Sequence, residues 1–361
     1  MEFNDIAIER LKSQHMGSDI IRSPAKLVSW LVALQAQEYD GAKWSIGLRL
    51  GDKSDKYIEN ALISKKIVRT WANRGTLHFI NSEDIQWMLK LMAPRLIRRN
   101  ARRYREMGLD DETLSNAETI LEEAVSGTNG IKRSTLKEIL KENDISIEGQ
   151  RFTFILQRAS LDGLIHQGIS VKNDSVYHSL KDLPLTQLTH DEALKEISKR
   201  YFYSHGPATL KDFVWWSGLT VKDAQRGLKS VKSELKRYEI RNKIYWSISG
   251  RKWKEQALTN VKIIPQYDDY LLGYQDRGAS IDETTKKLLQ PKYGRFNPVI
   301  LVNGTVTGTW KREINGNKVN FKLNHFRPLN GQVNEVLLSE IKAYSQFIDK
   351  ECAGIENSFL R

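Results

Sequence analysis

The sequence predicts an α+β protein, and two observations support this prediction. Each of three consecutive segments shows three helical patterns followed by two short strand patterns around a turn. After about residue 258 the sequence pattern changes to that of short strands separated by Asn-Gly turns, and a predicted helix closes the chain. Three helices with a two-stranded ribbon are the plan of a winged helix, a relative of the helix-turn-helix.

We therefore expect three tandem winged-helix modules plus a β-rich C-terminal part with a closing helix. The predicted domains are residues 1–108, 109–185, 186–257 and 258–361. In the first module, Ser23 and Pro24 are a typical N-cap and first helical residue.

A hairpin over residues 68–80 follows in the first module, with its turn at 73–75, and a long helix then runs to about residue 105. The second module has predicted helices at 116–125, 134–141 and 149–162 and strands at 164–168 and 175–178. The third has predicted helices at 190–203, 209–216 and 220–231 and strands at 234–240 and 243–248. The C-terminal part has predicted strands at 261–265, 298–302, 305–311 and 318–323 and a closing helix at 332–352.

Composition limits the functional classes. The chain has 361 residues, a formal net charge of +12 and a single cysteine, Cys352. One cysteine excludes internal disulfides and cysteine zinc clusters. The histidines do not have the spacing of metal ligands, and neither a phosphate-loop motif nor a dinucleotide-binding glycine motif is present. The longest apolar run is too short to span a bilayer, and the N-terminus lacks a secretion pattern. We expect a cytoplasmic protein, nucleoid-associated when bound to DNA, without a cofactor, a metal or a membrane partner.

The basic residues are grouped in two stripes at helical spacing. The first stripe has the positions i, i+3, i+4, i+7 and i+8 of one helix: Arg95, Arg98, Arg99, Arg102 and Arg103. The second lies on the last helix of the third module: Lys222, Arg226 and Lys229. Arginine forks match phosphate oxygens, so both stripes predict binding to the backbone of double-stranded DNA. The alternatives are a solvated helix face for the first stripe and a scaffold domain for the second.

The hairpin of the first module combines aromatic and basic side chains at Trp71, Asn73, Arg74 and His78. Such a mixture suits stacking and backbone contacts, so we expect these residues to lie near an unstacked base. The alternative is that Trp71 belongs to the core and that His78 is a structural histidine.

Two glutamines, Gln35 and Gln37, follow the helix that starts at Pro24. Residues i and i+2 share a face only in an extended segment, so a common site requires the helix to have ended by Gln35. Neutral amides orient a water or a dipole but do not transfer protons at pH 7. The alternative is a structural role in capping the helix and in polar bonding within the core.

Three carboxylates are further candidates for acid/base work: Asp40, Asp268 and Asp269. The last two lie in the segment 266–277, which also contains Asp276. For Asp276, the alternative is an ion pair with an arginine at a turn.

The ordered motifs Gln35-Ala36-Gln37, 69–78 (RTWANRGTLH), 205–209 (HGPAT), 216–219 (WSGL) and 267–274 (YDDYLLGY) resemble those of the AlkZ/YcaQ-like DNA glycosylases over essentially the whole chain. The resemblance implies tandem winged helices and excision of alkylated purines, including the unhooking of interstrand crosslinks, by hydrolysis of the N-glycosidic bond. The family's catalytic motif is Gln-x-Gln or Gln-x-Asp, and Gln35 and Gln37 occupy those positions, as in the crosslink-specialised branch.

The sequence therefore favours a monofunctional DNA glycosylase that acts as a monomer on N7-alkylated or crosslinked purines. Two alternatives stay open at this stage. One is a non-enzymatic winged-helix DNA-binding protein, regulatory or architectural, although regulators usually bind paired half-sites as dimers. The other is a protein-interaction scaffold with its winged helices packed inward.

Overall fold

The structure is a computed structural model that describes residues 1–17, 21–250, 259–289 and 297–359. Its helices are α1 (Asp5–Ser13), α2 (Pro24–Leu31), α3 (Tyr39–Leu50), α4 (Asp55–Ile63), α5 (Ile85–Glu106), α6 (Asp111–Val125), α7 (Arg133–Glu142), α8 (Arg151–Leu161), α9 (His190–Ser204), α10 (Leu210–Ser217), α11 (Val221–Val231), α12 (Asp269–Leu272), α13 (Glu283–Leu289) and α14 (Gly331–Phe347). Its strands are β1 (Leu34–Gln35), β2 (Ile67–Trp71), β3 (Leu77–Asn81), β4 (Ile131–Lys132), β5 (Ile165–Val171), β6 (Asp174–Ser179), β7 (Leu235–Ile240), β8 (Lys243–Ile248), β9 (Val261–Ile264), β10 (Val299–Val302), β11 (Thr305–Asn315), β12 (Lys318–His325) and β13 (Glu351–Phe359). The α+β class is confirmed.

The chain forms two compact units. The first unit comprises Met1–Ile58 and Leu194–Arg361, and the second comprises Glu59–Ala193. This division does not follow the predicted module boundaries after residues 108 and 185, and the boundary after residue 257 lies outside the described residues. The count of three winged-helix modules therefore stays a prediction.

In the second unit, the strands lie in the order β3, β2, β5, β6, β4 and are antiparallel. The hairpin β2–β3 pairs Trp71 with Leu77 across a single 3₁₀ turn at Asn73–Gly75, as the sequence predicted. Arg69 joins this hairpin to the next one, because it pairs with Gln167 of β5. Helix α8 packs on β2 and β5, and α5 packs on α8, so the long basic helix is fixed to the sheet.

Helices α9–α11 and the hairpin β7–β8 agree with the elements predicted for the third module, and from Leu194 onward they belong to the first unit. Thr209 and Asp212 form a reciprocal capping box that starts α10, and Gly218 ends the helix in the left-handed conformation. Arg241 and Asn242 both have positive φ and form the two-residue turn of the hairpin β7–β8.

The C-terminal strands form one sheet in the order β13, β12, β11, β10, β9, and α14 packs against β9. The predicted closing helix 332–352 is too long, because α14 ends at Phe347 and Asp349 turns the chain with a φ of 54°. The chain then enters β13, which pairs in parallel with β12. The sequence did not reveal this strand, because most of its side chains are exposed and lack an apolar alternation.

Helix α3 is another element that the sequence analysis missed. Its residues from Gly41 to Leu50 are all buried, so it has no polar face whose periodicity could show. The indole N–H of Trp44 donates to the carbonyl of Ile263 at 2.7 Å, which holds α3 on the C-terminal sheet. A Cβ on Gly47 would lie 2.4 Å from the Phe347 ring, so glycine permits the close approach of α3 to α14.

Candidate active site

The glutamine pair lies in an extended segment between two helices. Ser23 caps α2 by accepting from the Lys26 N–H, and the helix ends at Leu31 because Val32 takes a φ of 70°. Gln35 ends the short strand β1, and Glu38 caps α3 immediately after Gln37. The prediction that the chain has left the helix by Gln35 is confirmed.

The two glutamines differ in accessibility. Gln35 is 7% exposed, whereas Gln37 is exposed, so the segment presents one amide from the interior and one at the surface. Within the described residues, the buried Gln35 Oε1 has no hydrogen-bond partner. A buried acceptor without a partner costs about 1–3 kcal/mol of folding free energy. The sharing of one concave surface by both side chains stays a prediction.

Asp269 lies directly beside this segment. Its Oδ2 accepts the backbone N–H of Gln35 at 3.2 Å, and the residue is 1% exposed. Asp269 is the first residue of α12, 234 positions from Gln35, so the long-range fold brings the two together.

Asp268 is held in a buried ion pair. Its two oxygens accept from the Arg49 guanidinium at 2.7 and 2.8 Å, and the Ser45 hydroxyl and the Tyr270 N–H donate to the same carboxylate. Burial alone would raise the pKa of Asp268, but the charge and hydrogen bonds of Arg49 outweigh burial and hold the pKa below its usual value. The carboxylate is therefore ionised, shielded from solvent and held as a structural anchor, and an acid/base role for Asp268 stays a prediction.

Asp40, the remaining carboxylate candidate, is exposed at the start of α3. It lies 3.4 Å from the Lys43 ammonium and 4.0 Å from the Arg312 guanidinium. Lys43 is buried and also pairs with Asp55 at 2.9 Å.

The hairpin residues of the second unit are mostly interior. Trp71, Asn73 and His78 are buried and Arg74 is half-buried. Burial and, secondarily, the charge of Arg74 lower the pKa of His78 to about 3, although its hydrogen bond with the Thr76 carbonyl opposes the shift. His78 is therefore a neutral imidazole near pH 7.

The turn that carries Arg74 is clamped by two helices of the same unit. Arg99 of α5 donates to the Arg74 carbonyl at 2.6 Å, and Gln157 of α8 donates to the Gly75 carbonyl at 3.4 Å. Asn100 in turn donates to Gln157 at 2.9 Å. Arg99 thus supports the turn in addition to its place in the basic stripe.

The first basic stripe is exposed along α5, as predicted: Arg95, Arg98, Arg99, Arg102 and Arg103. Its charge is partly compensated, because Glu106 pairs with Arg102 at 2.8 Å and with Arg103 at 3.1 Å. Glu106 follows directly after residue 105 and reaches back one helical turn to these two arginines.

The second stripe is also exposed: Lys222, Arg226 and Lys229. It lies opposite the buried residues Ala224, Gly227, Leu228 and Val231 of α11. A Cβ on Gly227 would lie 2.8 Å from the Leu194 carbonyl oxygen, so α11 packs closely on α9 and leaves its basic side to solvent.

Neither a metal site nor a membrane span is found in the part of the chain that the structure describes. No group of three or more histidine, cysteine or acidic side chains there is arranged to hold a metal ion. None of the described helices is long and apolar enough to cross a membrane.

Comparison with known proteins then decides the family. The family model described as DNA glycosylase AlkZ-like matches residues 28–347, a range that includes the glutamine pair, both basic stripes and both adjacent aspartates. The chain belongs to the AlkZ-like DNA glycosylase family. Members of this family are DNA-binding repair enzymes that hydrolyse N-glycosidic bonds, and this AlkZ-like protein is one of them.

One related sequence and one related structure are similar to this AlkZ-like chain over most of its length. It is 21% identical over 327 residues to a protein named interstrand DNA cross-link repair glycosylase from Streptomyces sahachiroi, with 84% of this chain and 85% of the relative covered. The structure of DNA glycosylase AlkZ from the same organism matches with a TM-score of 0.80 at 18% identity, over the full length of both chains. The shared fold therefore extends over both compact units.

Sequence reasoning missed two residues that hold the aspartate pair in place. Arg49 donates to Asp268 and to the Gln14 side chain, and the Gln14 amide donates to the Asp269 carbonyl. A lone arginine in the apolar run Ile46–Leu50 was an available signal, because a charge in such a run requires a buried partner.

Proposed function

We propose that this glycosylase excises N7-alkylated purines, including crosslinked purines, from double-stranded DNA, with Gln35 and Gln37 as its catalytic residues. The observation that carries the proposal is the chemical character of the candidate site. It offers amides, one of them with a buried oxygen that lacks a protein partner. The carboxylates of Asp268 and Asp269 nearby are almost completely shielded from solvent.

A site without a strong general acid suits a substrate that needs none. N7-alkylation leaves the purine cationic, so the C1′–N9 bond breaks with its electron pair going to N9, which neutralises the base. The sugar develops oxocarbenium character, and a water bonds to C1′ and releases its proton to solvent. Gln35 and Gln37 would hold that water and stabilise the sugar through their carbonyl dipoles.

The product of this reaction is a free base and an intact abasic strand. Strand cleavage by a lyase route requires a neutral amine that attacks C1′. Lys43, the lysine nearest in sequence to the glutamine pair, is buried and paired with Asp55 and Asp40. These ion pairs support monofunctional chemistry.

The two exposed basic stripes support contacts with the phosphate backbone of duplex DNA. Arg95 and Arg98 of α5 and the stripe of α11 supply cationic groups at the spacing of helical turns. Arg74, on a clamped turn and half-exposed, is the hairpin residue best placed to border a lesion. Trp71, Asn73 and His78 would support that hairpin from inside, because their burial leaves little surface for a base.

The name of the Streptomyces relative supports a crosslinked purine as the substrate class. We further propose that the enzyme works as a monomer, because excision of a single base does not require paired half-sites. The nucleoid of the cytoplasm is the compartment in which such a DNA-repair activity is used.

The direct test incubates the purified protein with duplexes that carry N7-methylguanine or an N7-linked interstrand crosslink. We expect alkali-labile abasic sites and separation of the crosslinked strands, with an undamaged duplex of the same sequence as the control. Addition of borohydride should trap no protein–DNA adduct. Duplex binding without base release from either lesion would refute the proposed substrate class.

A further inference from the structure

We infer that Asp269 is a positioning residue that fixes the backbone of the Gln35–Gln37 segment, an inference that rests on the function proposed above. The Asp269 Oδ2 accepts the Gln35 N–H at 3.2 Å. Asp269 is 1% exposed, so its carboxylate is shielded from a substrate and acts through the glutamine segment.

The two consecutive aspartates hold opposite flanks of this segment. Asp269 bonds the backbone at Gln35, on the N-terminal side. Asp268 bonds Ser45 and Arg49 of α3, the helix that begins two residues after Gln37. Because the Cα atoms of neighbouring residues are a fixed distance apart, the two aspartates set the distance between the Gln35 backbone and helix α3.

Asp269 is itself held on a rigid support. Its carbonyl accepts the Gly273 N–H at 2.8 Å, and Asp268 caps the same short helix through the Tyr270 N–H. The Tyr270 hydroxyl donates to the Ala7 carbonyl at 2.9 Å, and its ring is completely buried. Helix α12 is therefore anchored to α1, and Asp269 cannot move without breaking several bonds.

The consequence concerns the alignment of the reacting groups. Since the buried Gln35 Oε1 has no protein partner in the described residues, no hydrogen bond to this oxygen holds it where a water would sit. The bond from Asp269 to the Gln35 backbone then fixes the point from which the side chain extends. A displacement of about 1 Å at a reacting group is enough to slow a reaction about a hundredfold.

The test compares Asp269→Ala, which removes the acceptor, with Asp269→Asn, which keeps an oxygen able to accept the same N–H. Single-turnover release of N7-methylguanine, duplex affinity and hydrogen exchange of the Gln35 amide are measured for each. We expect Asp269→Ala to slow base release about 10- to 100-fold and to speed exchange at Gln35, with duplex affinity unchanged. Asp269→Asn should restore most of the rate. Asp52→Ala, at an exposed position of the same unit, is the control.

Two results would overturn the inference. One is an Asp269→Ala variant with the wild-type rate and an unchanged Gln35 exchange. The other is an Asp269→Asn variant as slow as Asp269→Ala while Gln35 stays protected, because this would show that the charge itself is used. If Asp269→Ala does not fold, Asp269→Ser, whose hydroxyl is too short to reach, replaces it. A wild-type protein that releases no base would refute the proposed function, while exchange at Gln35 would still decide the positioning role.

Discussion

The buried ion pair between Arg49 and Asp268 predicts a large and specific loss of stability. Asp268→Asn keeps the N-cap bond to the Tyr270 N–H but removes the charge that compensates Arg49, both side chains being completely buried. An unpaired buried charge destabilises a protein by about 3–5 kcal/mol. In domains of 150–250 residues, 1 kcal/mol shifts the melting temperature by about 2–4 °C, so a decrease of roughly 6–20 °C is expected.

Urea unfolding followed by circular dichroism measures this effect, with Asp52→Ala as an exposed control that should stay within about 0.5 kcal/mol of wild type. Arg49→Met in the Asp268→Asn background removes the unpaired charge and should recover much of the loss. A free energy of unfolding for Asp268→Asn within 1 kcal/mol of wild type would refute the reasoning.

The stability that the Arg49–Asp268 ion pair contributes decreases at low pH. The folded-state pKa of Asp268 lies below its usual value of about 3.9, so the unfolded chain binds the proton first. The stabilisation is therefore complete above about pH 5 and is lost as the pH falls through the folded-state pKa. Wild type should lose stability below pH 4 more steeply than the Arg49→Met, Asp268→Asn double variant.

Three further predictions concern the second unit. The combined Arg95→Ala and Arg98→Ala variant should weaken duplex binding equally for all sequences and reduce the salt slope by about one unit per lost phosphate contact, and an unchanged slope would show that α5 does not touch DNA. Arg99→Ala should also destabilise this unit by about 1.5–3 kcal/mol in thermal unfolding, because it loses the bond to the Arg74 carbonyl, whereas Arg95→Ala should not. Since the pKa of His78 is lowered to about 3, the unfolded chain gains a proton near pH 6.5 that the folded chain does not, and stability falls as pH decreases from about 6.5. His78→Asn should reduce this pH-dependent loss by up to about 1.4 kcal/mol per pH unit, measured as the free energy of unfolding in urea between pH 4 and 7. An unchanged pH profile would contradict the assignment.

Local signals predicted the amphipathic elements well. The N-cap at Ser23 and the hairpin turn at Asn73–Gly75 each depend on a few neighbouring residues, and both lie where the sequence indicated. Helix α3 and strand β13 escaped prediction for opposite reasons. The first is almost entirely buried and the second is mostly exposed, so neither shows an alternation of apolar and polar residues.

The candidate site was predictable only in part. The spacing of Gln35 and Gln37 and their place after a helix indicated an extended segment, which the structure contains. The different roles of Asp268 and Asp269 depend on contacts with residues more than 200 positions away. No local pattern reports such contacts, so both aspartates looked like equivalent acid/base candidates from the sequence.

The most direct test of the central claim is single-turnover release of N7-methylguanine by Gln35→Ala and Gln37→Ala. Each variant should bind the duplex and fold like wild type but lose roughly 2–4 kcal/mol of transition-state stabilisation, a slowing of about 30- to 1000-fold. Gln332→Ala, at an exposed glutamine of α14, is the matched control and should keep the wild-type rate. Wild-type rates in both Gln35→Ala and Gln37→Ala would contradict the account and show that the two amides are structural.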